Sequence, residues 1–271
     1  MRGCRSPDRN GDGPFFVKGR KIFLILPGLF LFFALFFSNG KEAFPDESEK
    51  IYPSLVIFGT TWSYDYRKAL SLSDLFEGEA LRLRSYHCRV KTFYSLKRVG
   101  SPRQIGKTVR QEDPDEDFDY SVVYHPLTVS VRLNHPRRGA TVVYREVDRV
   151  TTLHPFDFLP LTLSLSPHNR LITSRFGHTI DHSDVRSFYH RVFRPACLTH
   201  SCLSLGSGIF KGLPVDIVNI APDQLEARPV FGRMWVLLDG RSKFPVSVAT
   251  YGPDGRFWER IDYEGCQYFY R

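Results

Sequence analysis

The 271-residue sequence predicts a mainly antiparallel β fold of the α+β class, one strongly curved sheet or half-barrel closed by one or two α-helices. Three observations carry this expectation. Residues that favour extended backbone are abundant, with 23 Phe and 13 Tyr beside many Val and Thr. Beyond Ser85 the apolar residues recur mostly with period two. The last strands are separated by tight turns at Asp239-Gly240 and Gly252-Pro253-Asp254-Gly255, which join sequential strands as an antiparallel meander. Two stretches have helical spacing, and two helices cannot cover both faces of about ten strands. A sheet wrapped round a helix or a cavity resolves this.

Taken in order, Lys41–Lys50 is charged, contains Pro45 and reads as a linker, and the irregular stretch extends to residue 65. Ile51–Trp62 is apolar but interrupted by Pro53 and Gly59, so at most a short strand is expected. Tyr66–Arg84 is expected to be helical. Leu70, Ser73, Phe76 or Glu77, and Leu81 fall at spacings of three and four, and Leu72, Leu75 and Leu83 widen the apolar side. From Ser85 to Tyr94 the period changes to two. Leu127, Val129, Val131 and Leu133 alternate with Thr128, Ser130, Arg132 and Asn134, a half-buried strand. His135-Pro136-Arg137-Arg138-Gly139 supplies a turn, Ala140–Glu146 the next strand, and Leu161, Leu163 and Leu165 another alternation. Ile180–Phe193 returns to helical spacing, with Asp181, Ser183 or Asp184 as capping residues. Strands are expected at 212–220, 230–238, 244–251, 257–264 and 267–270.

The N-terminus has a different character. Ile22–Ser38 is an uncharged Leu/Phe-rich run preceded by Arg2, Arg5, Arg9, Lys18, Arg20 and Lys21 and followed by Ser38-Asn39-Gly40. A basic start, an apolar middle and small residues at a cut site are the layout of a secretory signal. Residues 1–40 are therefore expected to act as a signal peptide cut near Gly40, or else as an uncleaved signal anchor in the inner membrane. Residues 66–271 then form a single curved-sheet domain outside the cytoplasm, in the periplasm or cell envelope. The net charge is +8, but half of it lies in residues 1–40 and the rest is dispersed. Nucleic acid, which needs a clustered basic footprint, is not an expected partner.

Cys4 lies in the signal, and Cys88, Cys197, Cys202 and Cys266 remain. An even number in an exported chain suggests two disulfides. Three pairings are possible; Cys88 with Cys266 and Cys197 with Cys202 are favoured. A metal at Cys197, His200 and Cys202 would lack a second cluster of ligands. His178 and His182, at i and i+4 with Asp181 between them, would share one face of a helix, as zinc hydrolases require, but no third ligand is evident. The acids from Glu112 to Asp119 offer oxygen to calcium, yet lack the glycine and distant glutamate of the helix–loop–helix site, and read as a solvated hairpin tip. Ser207, between Gly206 and Gly208, lacks the glycine of a nucleophile elbow. Neither a phosphate-cradling loop nor a dinucleotide fingerprint is present, so no cofactor and no catalytic residue is expected.

Four stretches resemble an uncharacterised family of exported bacterial proteins, the domain of unknown function 1571 family. They are Pro126–Val131, Gly139–Tyr144, Asn169–Thr173 with Gly177, and Leu238–Asp239 through Phe244-Pro245-Val246 to Tyr251, Glu259 and Tyr263. The resemblance implies a bacterial cell-envelope protein. More distantly it implies the half-barrel of outer-membrane lipoprotein carriers, whose concave face holds acyl chains.

On such a sheet, Leu127, Val129, Val131, Val142 and Tyr144, with Trp235, Leu237, Val246 and Val248, are the candidate lining residues. Arg170, beside Asn169, would anchor a lipid phosphate or carboxylate through its planar fork, or else pair with a local acid while Asn169 makes a turn. The expected function is binding of an apolar or lipid-like ligand. A protein-interaction or sensor domain that meets a lipoprotein or envelope protein is the alternative, and a zinc-dependent hydrolase using His178 and His182 stands behind both.

Overall fold

A computed structural model describes residues 55–57, 65–94, 113–158, 160–174, 176–221 and 232–271. The apolar run Ile22–Ser38, Gly40, the linker Lys41–Lys50 and Glu112 lie outside the described residues. Glu42–Arg271 is one compact unit, separate from Met1–Lys41.

The chain forms β1 (Leu55–Ile57), helix α1 (Tyr66–Arg82), β2 (Leu83–Tyr94), β3 (Glu116–Val123), β4 (Thr128–His135), β5 (Thr141–Arg145), β6 (Val150–His154) and β7 (Leu163–Leu165). A helical region follows: a 3-10 turn at Ile180–His182, α2 (Val185–Phe188), a π segment at Tyr189–Phe193 and α3 (Arg194–Leu198). The strands β8 (Cys202–Phe210), β9 (Leu213–Ile220), β10 (Arg233–Asp239), β11 (Pro245–Tyr251) and β12 (Phe257–Tyr270) complete it. The twelve strands among the described residues make one sheet in the order β1-β8-β9-β10-β11-β12-β2-β3-β4-β5-β6-β7, with every pair antiparallel. It is curved and does not close. One hydrophobic cluster runs along its concave face from Cys202 of β8 to Tyr144 of β5.

That cluster sits between the concave face and α1. Asp65 starts the helix by accepting the Lys68 N–H at 3.0 Å. The buried stripe is Ala69, Leu72, Ser73, Phe76 and Ala80, a single helical face. The expected stripe is displaced: Leu75 and Leu81 are 50% and 59% exposed. Leu72, Ser73 and Phe76 are buried as expected, and the small Ala69 and Ala80 complete the stripe and let the helix lie close to the sheet. Phe76 is fully buried, with its ring 5.1 Å from Tyr189, 5.4 Å from Phe193 and 5.7 Å from Phe244.

Three further expectations need correction. The helix expected over Ile180–Phe193 begins at Val185, where Asp184 accepts the N–H groups of Arg186 and Ser187, and runs on to Leu198. Pro195 lacks an N–H to bond back one turn, and the widened π segment lies just before it. The two last strands are one, because Gly265, at φ +59°, takes up the break as a bulge. The acids expected at a hairpin tip lie mostly within β3. Asp117 accepts two bonds from Arg89, at 2.8 and 2.5 Å, which hold its carboxyl below the usual range. Glu116 and Asp117 point to opposite faces, so the run does not converge on one ion.

The structure pairs Cys88 with Cys266, at 2.09 Å between sulfurs, and Cys197 with Cys202, at 2.13 Å. The first joins β2 to β12 at the middle of the sheet. The second ties the end of α3 to the start of β8.

Candidate functional site

The register decides which candidate residues share a face. Tyr86, Val122, Val129, Tyr144 and Thr151 form one row across β2 to β6. Cys88, Tyr120, Val131, Val142 and Leu153 form the next. Both rows belong to the concave face, as does Val248, which pairs with Val236. Leu127 packs at their edge.

Trp235, Leu237 and Val246 are not with them. They join Leu205, Phe210, Val215 and Ile217 in a second cluster on the other face. Trp235 and Leu237 alternate with the concave Met234, Val236 and Leu238, and the bulge between Leu237 and Leu238 leaves Val246 out of register. Next to this second cluster Asp262 is fully buried. It accepts from Ser247 at 2.6 Å and from Lys211 at 2.8 Å, and Arg260 lies 3.2 Å away. Lys211 also donates to Glu264 at 2.7 Å. Burial works to lower its pKa, but the two carboxylates outweigh it and hold the ammonium above its ordinary value.

The concave face is unevenly covered. Under the helices Phe76, Phe193, Phe244, Val236 and Leu238 are at most 1% exposed. Toward β3–β6 the apolar Phe118, Leu127, Val131 and Val142 are only partly buried. This side is crossed by a strap, formed by residues 166–174 and 176–184. Asn169 turns its start: its Oδ1 accepts the Leu171 N–H at 3.0 Å, and its carbonyl accepts from Ile172 and Thr173. Arg170 beside it is exposed, and among the described residues no side-chain bond of its own is found. Ile172 and Ile180 pack inward.

The strap is fastened by polar bonds at two places, its C-terminal end and His178. At one end, the Tyr124 hydroxyl donates to Asp184 at 2.9 Å, Tyr120 and Ser183 share a bond of 3.0 Å, and the Tyr86 hydroxyl accepts the Val185 N–H at 3.2 Å. Burial pushes all three phenols well above their ordinary pKa, so they stay neutral hydrogen-bonding groups. Further back along the strap, His178 Nε2 donates to Glu259 Oε1 at 2.6 Å. The Glu259 side chain is 2% exposed and that of His178 49%. Burial works to lower the imidazole pKa, but the bond to Glu259 and its charge outweigh this and raise it. The Phe176 ring stacks on Trp258 at 5.3 Å and meets Tyr94 at 5.9 Å.

Glu259 pairs in register with Tyr94, and Thr92 with Glu116, so all four face the same open end of the concave surface. Burial raises the Glu116 carboxyl, partly offset by its bond from Tyr94, whose own phenol burial pushes far up. A polar end thus closes an otherwise apolar trough.

His178 and His182 do not share a helix face. His178 precedes the 3-10 turn and turns to Glu259, while His182 lies 3.6 Å from Asp181, which His168 also approaches at 3.8 Å. Among the described residues no group of three or more His, Cys, Asp or Glu is placed to hold a metal ion. Ser207 donates to Asp216 at 2.9 Å, and Lys243 does so at 3.0 Å, an ion-pair cluster beside the start of α1. Tyr94 and Phe176 were missed from sequence, and Glu116 was read there only as part of an acidic run. Their signal was present: a lone Glu at concave register positions on β3, and again at Glu259 on β12, breaks the apolar alternation.

No family model and no curated protein matches the chain. Among solved structures it is similar to the lipoprotein LppX of Mycobacterium tuberculosis, at 13% identity and a TM-score of 0.43, covering 73% of this chain and 94% of that one. It is also similar to a putative outer membrane lipoprotein-sorting protein domain from Vibrio parahaemolyticus, at 11% identity and a TM-score of 0.41, covering 75% and 93%. A third similar structure is the Pseudomonas aeruginosa MucA/MucB complex, at 12% identity and a TM-score of 0.40, covering 73% and 57%. These likenesses concern the fold alone.

Proposed function

We propose that the chain is an exported cell-envelope binding protein that holds an apolar, lipid-like ligand in the manner of a lipoprotein carrier. The ligand lies on the concave face between β3 and β6, under the strap. One observation carries this reading: Phe118, Leu127, Val131 and Val142 line a concave surface that is only partly buried there, whereas Phe76, Phe193, Phe244, Val236 and Leu238 are at most 1% exposed. Each Å² of apolar surface a ligand covers there contributes about 25 cal/mol. Export is supported by the N-terminal apolar run and by two disulfides, which persist in oxidising compartments. The resemblance to the domain of unknown function 1571 family, which rests on the sequence stretches alone, agrees with an envelope role.

The test uses Glu42–Arg271 made in an oxidising compartment. Mass spectrometry of the denatured extract should show near-stoichiometric lipid, and the stripped protein should bind a fluorescent fatty acid. Val142→Asp should weaken that binding about tenfold or more, because a carboxylate would face the acyl chain. Arg170→Glu, at an exposed position, should weaken retention without unfolding the domain. A folded protein with neither lipid nor fatty-acid binding would refute the reading and favour a partner-binding domain.

A further inference from the structure

Two polar atoms by the trough are buried without a partner. Thr151 of β6, on the concave face, is fully buried, and its Oγ1 meets no hydrogen-bonding group among the described residues. Asp181 lies on the 3-10 turn of the strap, its side chain 11% exposed, and its Oδ1 is in the same state. The other oxygen, Oδ2, is approached by His182 at 3.6 Å and by His168 at 3.8 Å. Buried polar atoms are nearly always hydrogen-bonded, because leaving one unpaired costs free energy.

Tyr144 links the two. It stands opposite Thr151 in register, and its side chain is buried. Burial raises the phenol pKa, and the charges of Asp181 and Glu146 add to the rise, so Asp181 lies near it. One hydroxyl, one carboxyl and one phenol thus sit together beside the apolar Val129, Val142 and Ile180.

The surroundings offer acceptors and little positive charge. Among the concave register positions of β3 to β6, Glu116 is the one charged residue, and neither lysine nor arginine stands there. Arg186, toward the helices, already donates to the carbonyls of Ala80, Leu81 and Leu83. Arg170 is exposed at the start of the strap, outside this set. A carboxylate head placed here would meet a like charge and no donor to spare, whereas O–H or N–H groups would find acceptors.

We propose that Thr151, Asp181 and Tyr144 hold the head of the bound amphiphile, and that this head is a hydrogen-bond donor without negative charge, a hydroxyl or an ammonium. Thr151 Oγ1 and Asp181 Oδ1 accept from it, while the chain lies along Val131 and Val142. The inference rests on the apolar-ligand reading and names the head that reading leaves open. Both atoms are shut off from solvent, so the head takes its place as the strap, which carries Asp181, is lifted and set back over it.

Glu42–Arg271 carries every described element and both disulfides as one compact unit, so it serves as the test protein. Stripped of lipid, it is titrated calorimetrically with decanoate, with the glycerol monoester of decanoic acid and with decylamine. The monoester or the amine should bind about tenfold or more tightly than decanoate. A tighter monoester assigns the donor as hydroxyl, and a tighter amine assigns it as ammonium. Thr151→Val should remove most of that preference and leave decanoate binding unchanged. Its melting temperature should hold or rise, since a methyl replaces an unpaired buried hydroxyl of the same shape. Asp181→Asn should tighten decanoate binding by removing the like charge. Equal binding of all three, or tightest binding of decanoate, would overturn the proposal and leave the apolar-ligand reading standing. A Thr151→Val protein that melts lower yet keeps the preference would also overturn it, by giving the hydroxyl a structural role. Binding of none of the three would sink the apolar-ligand reading and this inference with it.

Discussion

Removing the two disulfides one at a time should have unequal effects, and the difference follows from where the structure puts them. Cys88 and Cys266 are 178 residues apart, whereas Cys197 and Cys202 are 5 apart. A cross-link stabilises chiefly by restricting the unfolded chain, and the restriction grows with the logarithm of the loop it closes. With those loop lengths the chain-entropy relation gives about 5 kcal/mol for Cys88–Cys266 and about 2 kcal/mol for Cys197–Cys202. A domain of this size is typically stable by about 5–15 kcal/mol, so the first loss would be a large share of the total. Alanine is the right replacement, since Cys88, Cys197 and Cys202 are at most 1% exposed and a serine would add an unsatisfied hydroxyl. The assay is urea unfolding of Cys88→Ala/Cys266→Ala and of Cys197→Ala/Cys202→Ala under non-oxidising handling, followed by tryptophan fluorescence. Equal losses, or a larger loss from the short loop, would refute the entropic account and place the stabilisation in native contacts around α3.

Phe76→Ala should cost about 3–5 kcal/mol, because it empties a fully buried site ringed by Tyr189, Phe193 and Phe244; a loss under about 1 kcal/mol in denaturant unfolding would mean that α1 does not fill the sheet. Gly139→Ala should destabilise by about 1–3 kcal/mol through its positive φ and its collision with Asp157, and Asp157→Ala should recover part of the loss in melting temperature. His178 should titrate by NMR above the ordinary imidazole value, and Glu259→Gln should bring it below that value, because burial then acts unopposed. Since the folded pKa is raised, the His178–Glu259 contribution is fully present below the ordinary value and lost as pH rises through the raised one. The stability gap between the native protein and Glu259→Gln should therefore narrow across that window, and a gap that widens with pH would contradict the assignment.

The curved antiparallel sheet was legible in the chain because its signals are local. Alternation at Leu127–Leu133 and turn residues at Asp239-Gly240 and Gly252–Gly255 act between neighbours, and antiparallel pairing follows directly from short connections. Face assignment was less legible. Alternation separates inward from outward within a strand, but a bulge shifts the phase. That is why Val246 parted from Val248, and why Gly265 continued a strand that sequence reads as two. The stripe of α1 kept Leu72, Ser73 and Phe76 but took in Ala69 and Ala80 in place of Leu75 and Leu81, because close packing against a sheet rewards small side chains, which hydrophobicity alone does not weigh. The strap is the clearest case of what only the tertiary structure decided. His178 and Glu259 are 81 residues apart, and Tyr120 and Ser183 are 63 apart, so no local pattern links them. The sequence alone determined the sheet, its antiparallel sense and the apolar character of its strands, since these are set by neighbouring residues. Which polar groups meet across the trough was settled by long-range pairing, whose partners the chain order does not announce.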